Sequence, residues 1–390
     1  MTRSGGTVEL LHHFVGDDSV VVSELIDTVE RNLGDVTIET VEDAETSMRA
    51  KVDILRQSPP DIWDDWPGKN MIPYREADVL ADITDLWEEA GFTRAYFDSA
   101  KEAAQLDGRY YALPMNIQRQ NNLFYRVDLV EEAGVDPKRI DSAAELLAAI
   151  EQVDDATDAA GIILPQKRPW PVFDLWDNLV VSVGDASAYE GIFRGGEATQ
   201  RQEVIRDALE YVQQYRQYSP EDATYDSWQP ALDRFAEGDA AFYVMGDWAA
   251  GVLQNKEGLD YREDWDAVPF PGTEGTFQIV MDAFMMPTTT DRSETARAVL
   301  EQIGSREVME LFTSVRGAVP PRSDASMDGH SEFFQGQMDY YRSATAKPMA
   351  TRGNGVVPEK RVALLTGMAS FLKESDVDRT TEEFVAALSD

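Results

Sequence analysis

The stretch of sequence that decides the fold is residues 8–63, VELLHHFVGDDSVVVSELIDTVERNLGDVTIETVEDAETSMRAKVDILRQSPPDIW. Within it, residues 8–11 and 36–41 are predicted to be strands, because they are short apolar or alternating runs. Apolar residues at helical spacing fill the segment between them. A second helix ends at the Pro59-Pro60 pair, before a third strand that begins at residue 61. This βαβαβ order indicates a parallel sheet.

The ends of these predicted strands indicate where a ligand would bind. Ligands of parallel sheets lie at the carboxyl ends of the strands. Here the first strand is followed by His-His-Phe at residues 12–14, and the third by Asp-Asp-Trp-Pro-Gly at residues 64–68. We therefore expect polar and aromatic side chains of both segments to lie near one another.

The chain has 390 residues, which is long enough for two lobes. Extended segments rich in Pro and Gly separate the predicted elements at three places, and we interpret them as hinge crossings. The predicted crossings are residues 111–116, 271–277 and 317–322. The predicted N-lobe comprises residues 1–115 and 277–320, and the predicted C-lobe comprises residues 116–276 and 321–390.

Charge is the unusual property of this composition. The chain has 72 acidic and 35 basic residues, a net charge of −37, and only nine of the basic residues are Lys. The acidic residues are scattered along the chain between regularly spaced apolar residues, which indicates a solvated acidic surface and not a disordered tail. Molar salt shortens the Debye length to about 3 Å and screens the repulsion within such a surface. A halophilic host is the preferred interpretation, and an acidic mesophilic protein is the alternative.

Several classes of function are disfavoured. No basic stripe is present to meet the phosphates of a nucleic acid. The chain has no Cys, no Gly-x-Ser-x-Gly, no Walker A motif and no Gly-x-Gly-x-x-Gly. His12-His13 lacks the spacing of a zinc site, and we expect no bound metal and no cofactor. Asp64 and Asp65 are neighbours on a strand and point to opposite faces, so we do not expect them to form an acid/base pair.

Two tryptophans, Trp66 and Trp248, follow predicted strands at the edge where a ligand is expected. An indole face suits the C–H face of a pyranose, although both side chains could instead be core residues. Charged and amide groups would bind the sugar hydroxyls, since charge-assisted hydrogen bonds are the stronger kind. The candidate hydroxyl-binding residues are Asp64, Asp282, Asn116 and Gln118.

Two arginines leave another ligand class open. Arg119 and Arg316 could bind a carboxylate or phosphate through a bidentate fork. For Arg119, the preferred interpretation is a salt bridge within this acidic protein. A glycoside hydrolase or lyase is a further alternative, and Asp64 with Asp282 is the carboxylate pair that it would need.

Six short motifs occur in a characteristic order. They are GRYYALP (108–114), NLFYRVDL (122–129), FAEGDAAF (235–242), MGDWA (245–249), PFPG (269–272) and RGAVP (316–320). With these motifs, the chain resembles the family 1 extracellular solute-binding proteins of ABC transporters from about residue 7 to residue 390. The resemblance implies an α/β, two-lobed, periplasmic-binding-protein type II-like fold. Each lobe would be a parallel or mixed sheet flanked by helices, with the ligand in the cleft between the lobes.

Within the family, the chain is most similar to the glucose/galactose-binding branch. The similarity lies in the segments 116–119 (NIQR), 227–234 (SWQPALDR) and 245–251 (MGDWAAG). It implies that Trp248 is the cleft tryptophan, that Asp282 is a ligand-binding carboxylate, and that Arg316 stands where the branch has Lys.

Departures from the branch fall in the first lobe. His13-Phe14 replaces a tryptophan pair, Asp64-Asp65-Trp66 replaces Gln-x-His, and Gln118 stands where the branch has His. These departures weaken the inference of an identical sugar specificity, since the stacking partner from this lobe could have moved to Trp66.

The sequence therefore predicts the non-enzymatic, monomeric substrate-binding protein of an ABC sugar importer. It would bind a monosaccharide, glucose or a related sugar, close around it and deliver it to the membrane permease. An oligosaccharide or a sugar acid is the alternative ligand. We expect an extracellular protein that is anchored by an N-terminal lipid or segment outside this sequence. The predicted ligand-binding residues are Trp248, Asp282, Trp66, Asp64, Arg316, His13, Phe14, Asn116, Gln118 and Trp228.

Overall fold

The computed structural model describes residues 6–14, 19–43, 45–225, 227–256 and 258–389. The chain divides into two compact units. Unit 1 comprises residues 1–118 and 280–338, and unit 2 comprises residues 119–279 and 339–390.

The main sheet of unit 1 is mixed, with the strand order β2-β1-β3-β13-β6. Its strands are β1 (Gly6–His12), β2 (Val36–Glu42), β3 (Ile62–Asp65), β6 (Leu113–Pro114) and β13 (Ala283–Met285). A separate hairpin is formed by β4 (Gln105–Leu106) and β5 (Arg109–Tyr110). β1 pairs in parallel with β2 and β3, which confirms the predicted βαβαβ unit. β13 pairs antiparallel with both β3 and β6, so a strand from late in the chain completes this sheet.

The helices of unit 1 follow amphipathic segments of the sequence. They are α1 (Ser19–Leu33), α2 (Thr46–Leu55), α3 (Ile72–Glu76), α4 (Thr84–Glu89), α5 (Phe92–Ala95), α6 (Asp98–Ala104), α13 (Ser293–Ile303) and α14 (Arg306–Arg316), with a 3₁₀ turn at Gly68–Met71. The largest buried side chains here include Trp63 and Trp87. Trp63 packs near Tyr74, and Trp87 stacks on Tyr110, with centroids 4.0 Å apart.

The sheet of unit 2 has the strand order β11-β8-β10-β9. Its strands are β8 (Asn122–Arg126), β9 (Ala160–Ile163), β10 (Ala240–Met245) and β11 (Trp265–Pro269). β10 is buried along its whole length, as expected for a central strand that reads as a continuous apolar run. It pairs antiparallel with β8 and parallel with β9.

Helices flank the sheet of unit 2. They are α7 (Val127–Glu132), α8 (Ala143–Ala156), α9 (Pro169–Phe193), α10 (Gln202–Tyr215), α11 (Gln229–Glu237), α12 (Trp248–Leu253), α16 (Pro358–Glu374) and α17 (Val377–Ser389), with 3₁₀ turns at Pro137–Arg139 and Arg216–Tyr218. α9 is interrupted at Asp185, whose φ of 78° is left-handed. The Asp185 carboxylate accepts a hydrogen bond from the Ala188 amide and so starts the second half of this helix.

The chain passes between the units at β7 (Gln118–Arg119), at β12 (Ile279–Val280) and within α15 (Glu332–Ser343). The third passage lies beyond the predicted segment 317–322. The reason is that residues after this segment remain bonded within unit 1. The Ser323 amide donates to the Ala95 carbonyl over 2.7 Å, and the Ser326 amide donates to the Glu310 Oε1 over 2.6 Å.

The predicted α/β class is confirmed, since each unit contains a mixed sheet with helices packed against it. Among the described residues, no helix has both the length and the apolar character needed to cross a bilayer.

Candidate functional site

Unit 1 gathers polar side chains at the carboxyl ends of its parallel strands. The strand-end cluster, as we name it, consists of His13, Asp64, Asn116, Asp282 and Arg316. His13 follows β1, Asp64 lies in β3, and Asp282 directly precedes β13. Five residues predicted to bind the ligand are therefore brought together within this one unit.

His13 and Asp64 form the charged centre of the cluster. The Asp64 Oδ2 contacts His13 Nδ1 and also accepts a hydrogen bond from the His13 amide, 3.2 Å away. Burial alone would lower the pKa of His13, but the charge and the hydrogen bond of Asp64 outweigh it and raise that pKa to about 9. His13 is therefore a cation at neutral pH, with 34% of its side chain exposed.

Asp282 is held by a reciprocal pair of hydrogen bonds with Asn116. The Asn116 Nδ2 donates to the Asp282 Oδ2 over 2.7 Å, and the Asp282 amide donates to the Asn116 Oδ1 over 2.9 Å. Both residues are buried. This pairing fixes the orientation of the carboxylate in front of β13, which suits a group that must present an acceptor in one direction.

Phe14 and Arg316 lie beside His13. The rings of His13 and Phe14 stack with centroids 4.2 Å apart, and the Arg316 guanidinium carbon lies 5.5 Å from the Phe14 centroid. Phe14 also makes an edge contact with Phe312 and is only 1% exposed. These contacts give Phe14 the role of a platform beneath two cations.

The cluster has the donor atoms of a metal site. One ligand atom each of His13, Asp64 and Asp282 lie within 4.8 Å of one another. However, protonated His13 and Arg316 already balance the two carboxylates. A divalent cation would have to displace the proton of His13 and lie close to Arg316. The arrangement is better suited to a neutral ligand with several hydroxyl groups.

Asp65 turns away from its neighbour Asp64, in agreement with the alternation of a strand. Its carboxylate accepts hydrogen bonds from the Tyr74 hydroxyl and from the Trp66 amide. Burial raises its pKa. It therefore belongs to the core beneath the strand, and Asp64 and Asp65 do not form a pair that could flank a glycosidic bond.

Trp66 and Gln118 are two further residues of unit 1 that the sequence predicted to bind the ligand. Trp66 follows β3 with partial exposure, and its carbonyl accepts a hydrogen bond from Asn70. Gln118 is 2% exposed, and its Nε2 has no hydrogen-bond partner among the described residues. A role of either side chain in ligand binding stays a prediction.

In unit 2, Trp248 begins α12, directly after β10 and the short turn at Gly246. Its indole packs directly against this turn. A Cβ placed on Gly246 would lie only 1.9 Å from the ring, so only glycine fits at this position. Arg352 covers the ring at 4.8 Å from its centroid, and Trp248 is 4% exposed. Asp247 precedes the helix without capping it, since its carboxylate accepts from the Arg119 amide.

Arg352 is the centre of a second group, which we call the Arg352 stack. Its guanidinium carbon lies 4.2 Å from the centroid of Trp170 and 4.8 Å from that of Trp248. Its Nη1 donates to the Asp174 Oδ2 over 2.8 Å. With 20% of the side chain exposed, this flat and anchored guanidinium can present its remaining donors to a ligand.

Of the other predicted residues in unit 2, Trp228 is partly exposed and caps the start of α11 with its backbone. Arg119 is 3% exposed, donates to the Asn122 Oδ1 and lies 4.6 Å from the Tyr340 centroid. Arg119 therefore makes a hydrogen bond and a cation–π contact, whereas the sequence analysis favoured a salt bridge. Burial lowers the pKa of Arg119 to about 10.

Sequence reasoning missed the Arg352 stack and the buried polar residues that continue it along α9. The missed residues on α9 are Trp170, Asp174, Asp177 and Asn178. A signal was present, because their spacing of four, three and one places them on one helix face. The other residues from 169 to 181 are apolar, so three polar residues on one face of this part of the helix indicate a function for that face.

Comparison with known proteins identifies the family of the chain. Residues 24–336 match the family model described as "Bacterial extracellular solute-binding protein". The chain is 29% identical over 394 residues to the xylose/arabinose-binding protein XacG of Haloferax volcanii, covering 98% of this chain and 84% of that protein. It is also 29% identical over 337 residues to an uncharacterized ABC transporter extracellular-binding protein, PH1214, of Pyrococcus horikoshii, covering 86% of this chain and 75% of that protein.

Solved structures share the fold. The bacterial solute receptor AcbH, described as having an exclusive substrate preference for β-D-galactopyranose, superposes with a TM-score of 0.86. The sequence identity is 16%, and the match covers 99% of this chain and 98% of AcbH. A chitin oligosaccharide binding protein superposes with a TM-score of 0.84 at 17% identity, covering 99% of this chain and 100% of that one.

The protein belongs to the family of extracellular solute-binding proteins, because the family model matches most of the chain. Members of this family bind solutes and are not enzymes, so the expectation of a non-enzymatic protein is confirmed. The resemblance found in the sequence motifs is confirmed at the level of the family.

Proposed function

We propose that this protein is the sugar-binding component of an ABC importer, and that it binds a neutral aldose outside the cell and delivers it to the membrane permease. The observation that carries the proposal is the strand-end cluster of unit 1. It presents two oriented carboxylates and a protonated imidazole, whose potential ligand atoms lie within 4.8 Å of one another. Adjacent hydroxyl groups of a sugar need acceptors and donors at this spacing.

Unit 2 supports the same function with the Arg352 stack. Its exposed guanidinium edge supplies donors, and the neighbouring Trp170 supplies a partly exposed indole. Each unit thus carries a group of side chains suited to sugar hydroxyls or to a sugar ring. Arg352 covers one face of Trp248. A sugar could therefore stack only on the other face of Trp248, or else on Trp170 or Trp66.

The ligand class follows from the charges at the site. Protonated His13 and Arg316 offset the two carboxylates of the cluster, which favours a neutral solute over a sugar acid. Arg119, the other arginine considered for an anion, is buried against Tyr340. A relative similar over most of this chain is named for xylose and arabinose, so aldopentoses stand beside glucose and galactose as candidates.

Isothermal titration calorimetry in 2 M salt tests the proposal. We expect saturable binding of at least one of D-xylose, L-arabinose, D-glucose and D-galactose, with no response to glucuronic acid. A chitin oligosaccharide and raffinose in the same series distinguish a monosaccharide site from an oligosaccharide site. Absence of binding to every neutral aldose, together with binding of a sugar acid, would overturn the assignment.

A matched pair of variants assigns the site. Asp282→Asn keeps the shape of the side chain but removes a charge that strengthens hydrogen bonds to hydroxyls, so affinity is expected to fall by about 10-fold to 100-fold. Asp328→Asn makes the same change at an exposed residue of unit 1 and should leave affinity unchanged. Equal affinity of the two variants would exclude Asp282 from the site.

A further inference from the structure

Five buried polar side chains of unit 2 lie together and have incomplete hydrogen bonding. The Asp177 cluster, as we name it, consists of Gln120, Asp177, Asn178, Gln278 and Thr351. Each of these residues is at most 1% exposed. Each also has one polar side-chain atom without a hydrogen-bond partner among the described residues. Buried polar groups are almost always satisfied, so five exceptions in one place call for an explanation.

The orientation of the two glutamines is set by their donors. The Gln120 Nε2 donates to the Asp177 Oδ2 over 2.8 Å, and the Gln278 Nε2 donates to the Asp177 carbonyl over 3.4 Å. Their Oε1 atoms are therefore acceptors that lack a donor. The Asp177 Oδ1 and the Thr351 Oγ1 bring the number of unpartnered oxygens to four.

The fifth residue, Asn178, adds no free oxygen to this group. Its Nδ2 has no hydrogen-bond partner among the described residues, and its Oδ1 accepts a contact of 3.5 Å from the Gln120 Nε2. The four unpartnered oxygens are therefore those of Gln120, Asp177, Gln278 and Thr351.

Asp177 has no positively charged partner. Its Oδ2 accepts hydrogen bonds from Gln120, from the Tyr189 hydroxyl and from the Thr351 amide, and no Lys, Arg or His pairs with it among the described residues. The nearby Arg352 pairs with Asp174 instead. A buried carboxylate is costly to keep charged without a counter-charge, so a cation held beside it would stabilise its charged form.

We propose that the Asp177 cluster binds a dehydrated monovalent cation, Na⁺ or K⁺, through the oxygens of Gln120, Asp177, Gln278 and Thr351. Hard cations are held by oxygen ligands that replace their hydration shell. A single carboxylate balances a single positive charge, whereas Ca²⁺ or Mg²⁺ would leave one in excess. One water molecule could donate to two of the four oxygens but would leave the carboxylate uncompensated.

The four oxygen-bearing residues of the site come from separate segments of the chain, so a bound cation would link these segments. Gln120 and Gln278 lie next to two of the passages between the units, and the Gln120 amide donates to the Gln278 carbonyl. Asp177 lies in α9, and Thr351 follows the segment that bonds to Ile279. The cation joins four separate segments of unit 2. Because the unfolded chain lacks the site, cation binding stabilises the folded state.

The test compares salts at one ionic strength. Thermal unfolding is followed in 2 M NaCl, KCl and choline chloride, since choline is a monovalent cation too large for a cluster of this size. We expect wild-type protein to have a higher Tm in NaCl or KCl than in choline chloride. The difference should disappear in Asp177→Asn and decrease in Thr351→Val, which keeps the Thr351 amide. The control Asp207→Asn, an exposed site on α10, should retain the full difference.

A crystal grown in RbCl provides direct evidence. An anomalous peak at coordinating distance from the Asp177 Oδ1, absent from Asp177→Asn crystals, is the expected result. The proposal is overturned if Tm does not depend on the identity of the cation in the wild type. It is also overturned if the dependence is the same in Asp177→Asn, since the effect of the cation then arises elsewhere in the protein. Neither outcome bears on sugar binding.

Discussion

At the scale of single residues, the His13–Asp64 pair sets the character of the strand-end cluster. The separation of Asp64 from Asp65 could be predicted, because neighbouring side chains of a strand point to opposite faces. The protonation of His13 could not be predicted, since it depends on a carboxylate 51 residues away in the chain. Asp282 is brought to the same place only by the pairing of β13 with β3. Local sequence patterns carry no information on such distant contacts.

The pair predicts a pH dependence of stability. The pKa of His13 is raised to about 9 in the folded protein, so its contribution is fully present below the ordinary pKa of about 6.5 and is lost as the pH rises through 9. Asp64 and Asp282 favour the charged ring, and Arg316 opposes it. The free energy of unfolding of wild type and of His13→Gln, measured by urea titration, should therefore converge between pH 6.5 and pH 10. A difference that stays constant over this range would contradict the assigned protonation.

At the scale of elements, the sequence predicted the strands better than the functional face of α9. The predicted βαβαβ unit and the buried strand β10 depend on local periodicity, which a sequence displays directly. The polar face of α9 depends on the partners that it meets, such as Arg352, which lies far along the chain. Asp247 likewise precedes α12 without capping it, because its carboxylate accepts a hydrogen bond from the amide of Arg119, which is distant in the chain.

The turn between β10 and α12 gives a prediction at this scale. In Gly246→Ala, the new Cβ would overlap the Trp248 ring, so the indole must move away from the turn and disturb the Arg352 stack. We expect a loss of about 1–3 kcal/mol in the free energy of unfolding, together with a shift in tryptophan fluorescence. Gly336→Ala is the control, because a Cβ there has no atom within 4 Å on an exposed turn of α15. It should stabilise the protein by about 0.5–1 kcal/mol. Equal effects of the two changes would contradict the packing of Trp248.

At the scale of the whole molecule, the net charge affects stability more than any single contact does. The acidic residues outnumber the basic ones by 72 to 35. Most ion pairs among the described residues have at least one exposed partner, and such pairs contribute little individually. The self-repulsion that remains is long-ranged in dilute buffer and short-ranged in molar salt. Composition alone predicts this property, since it requires no knowledge of the fold.

We therefore expect stability to rise steeply with ionic strength. The urea midpoint of unfolding should increase continuously from 0.1 M to 2 M salt, because the Debye length falls from about 10 Å to about 3 Å or less. An equal osmolality of sucrose, which does not screen charge, should give a smaller increase. In Asp177→Asn, which lacks the proposed cation site, only this general screening remains. NaCl and choline chloride should therefore stabilise that variant equally. A midpoint that does not change with salt would contradict a halophilic adaptation.

The position of β13 has a consequence for biosynthesis. This strand lies between β3 and β6 in the sheet of unit 1, although it is translated more than 160 residues after β6. Until it leaves the ribosome, the edge of β3 has no neighbour on that side, and an open edge of this kind invites pairing with other chains. Unit 2 has by then received all the strands of its main sheet. The unit that begins first is thus the last able to close its sheet, and the growing chain must be protected from aggregation during that interval.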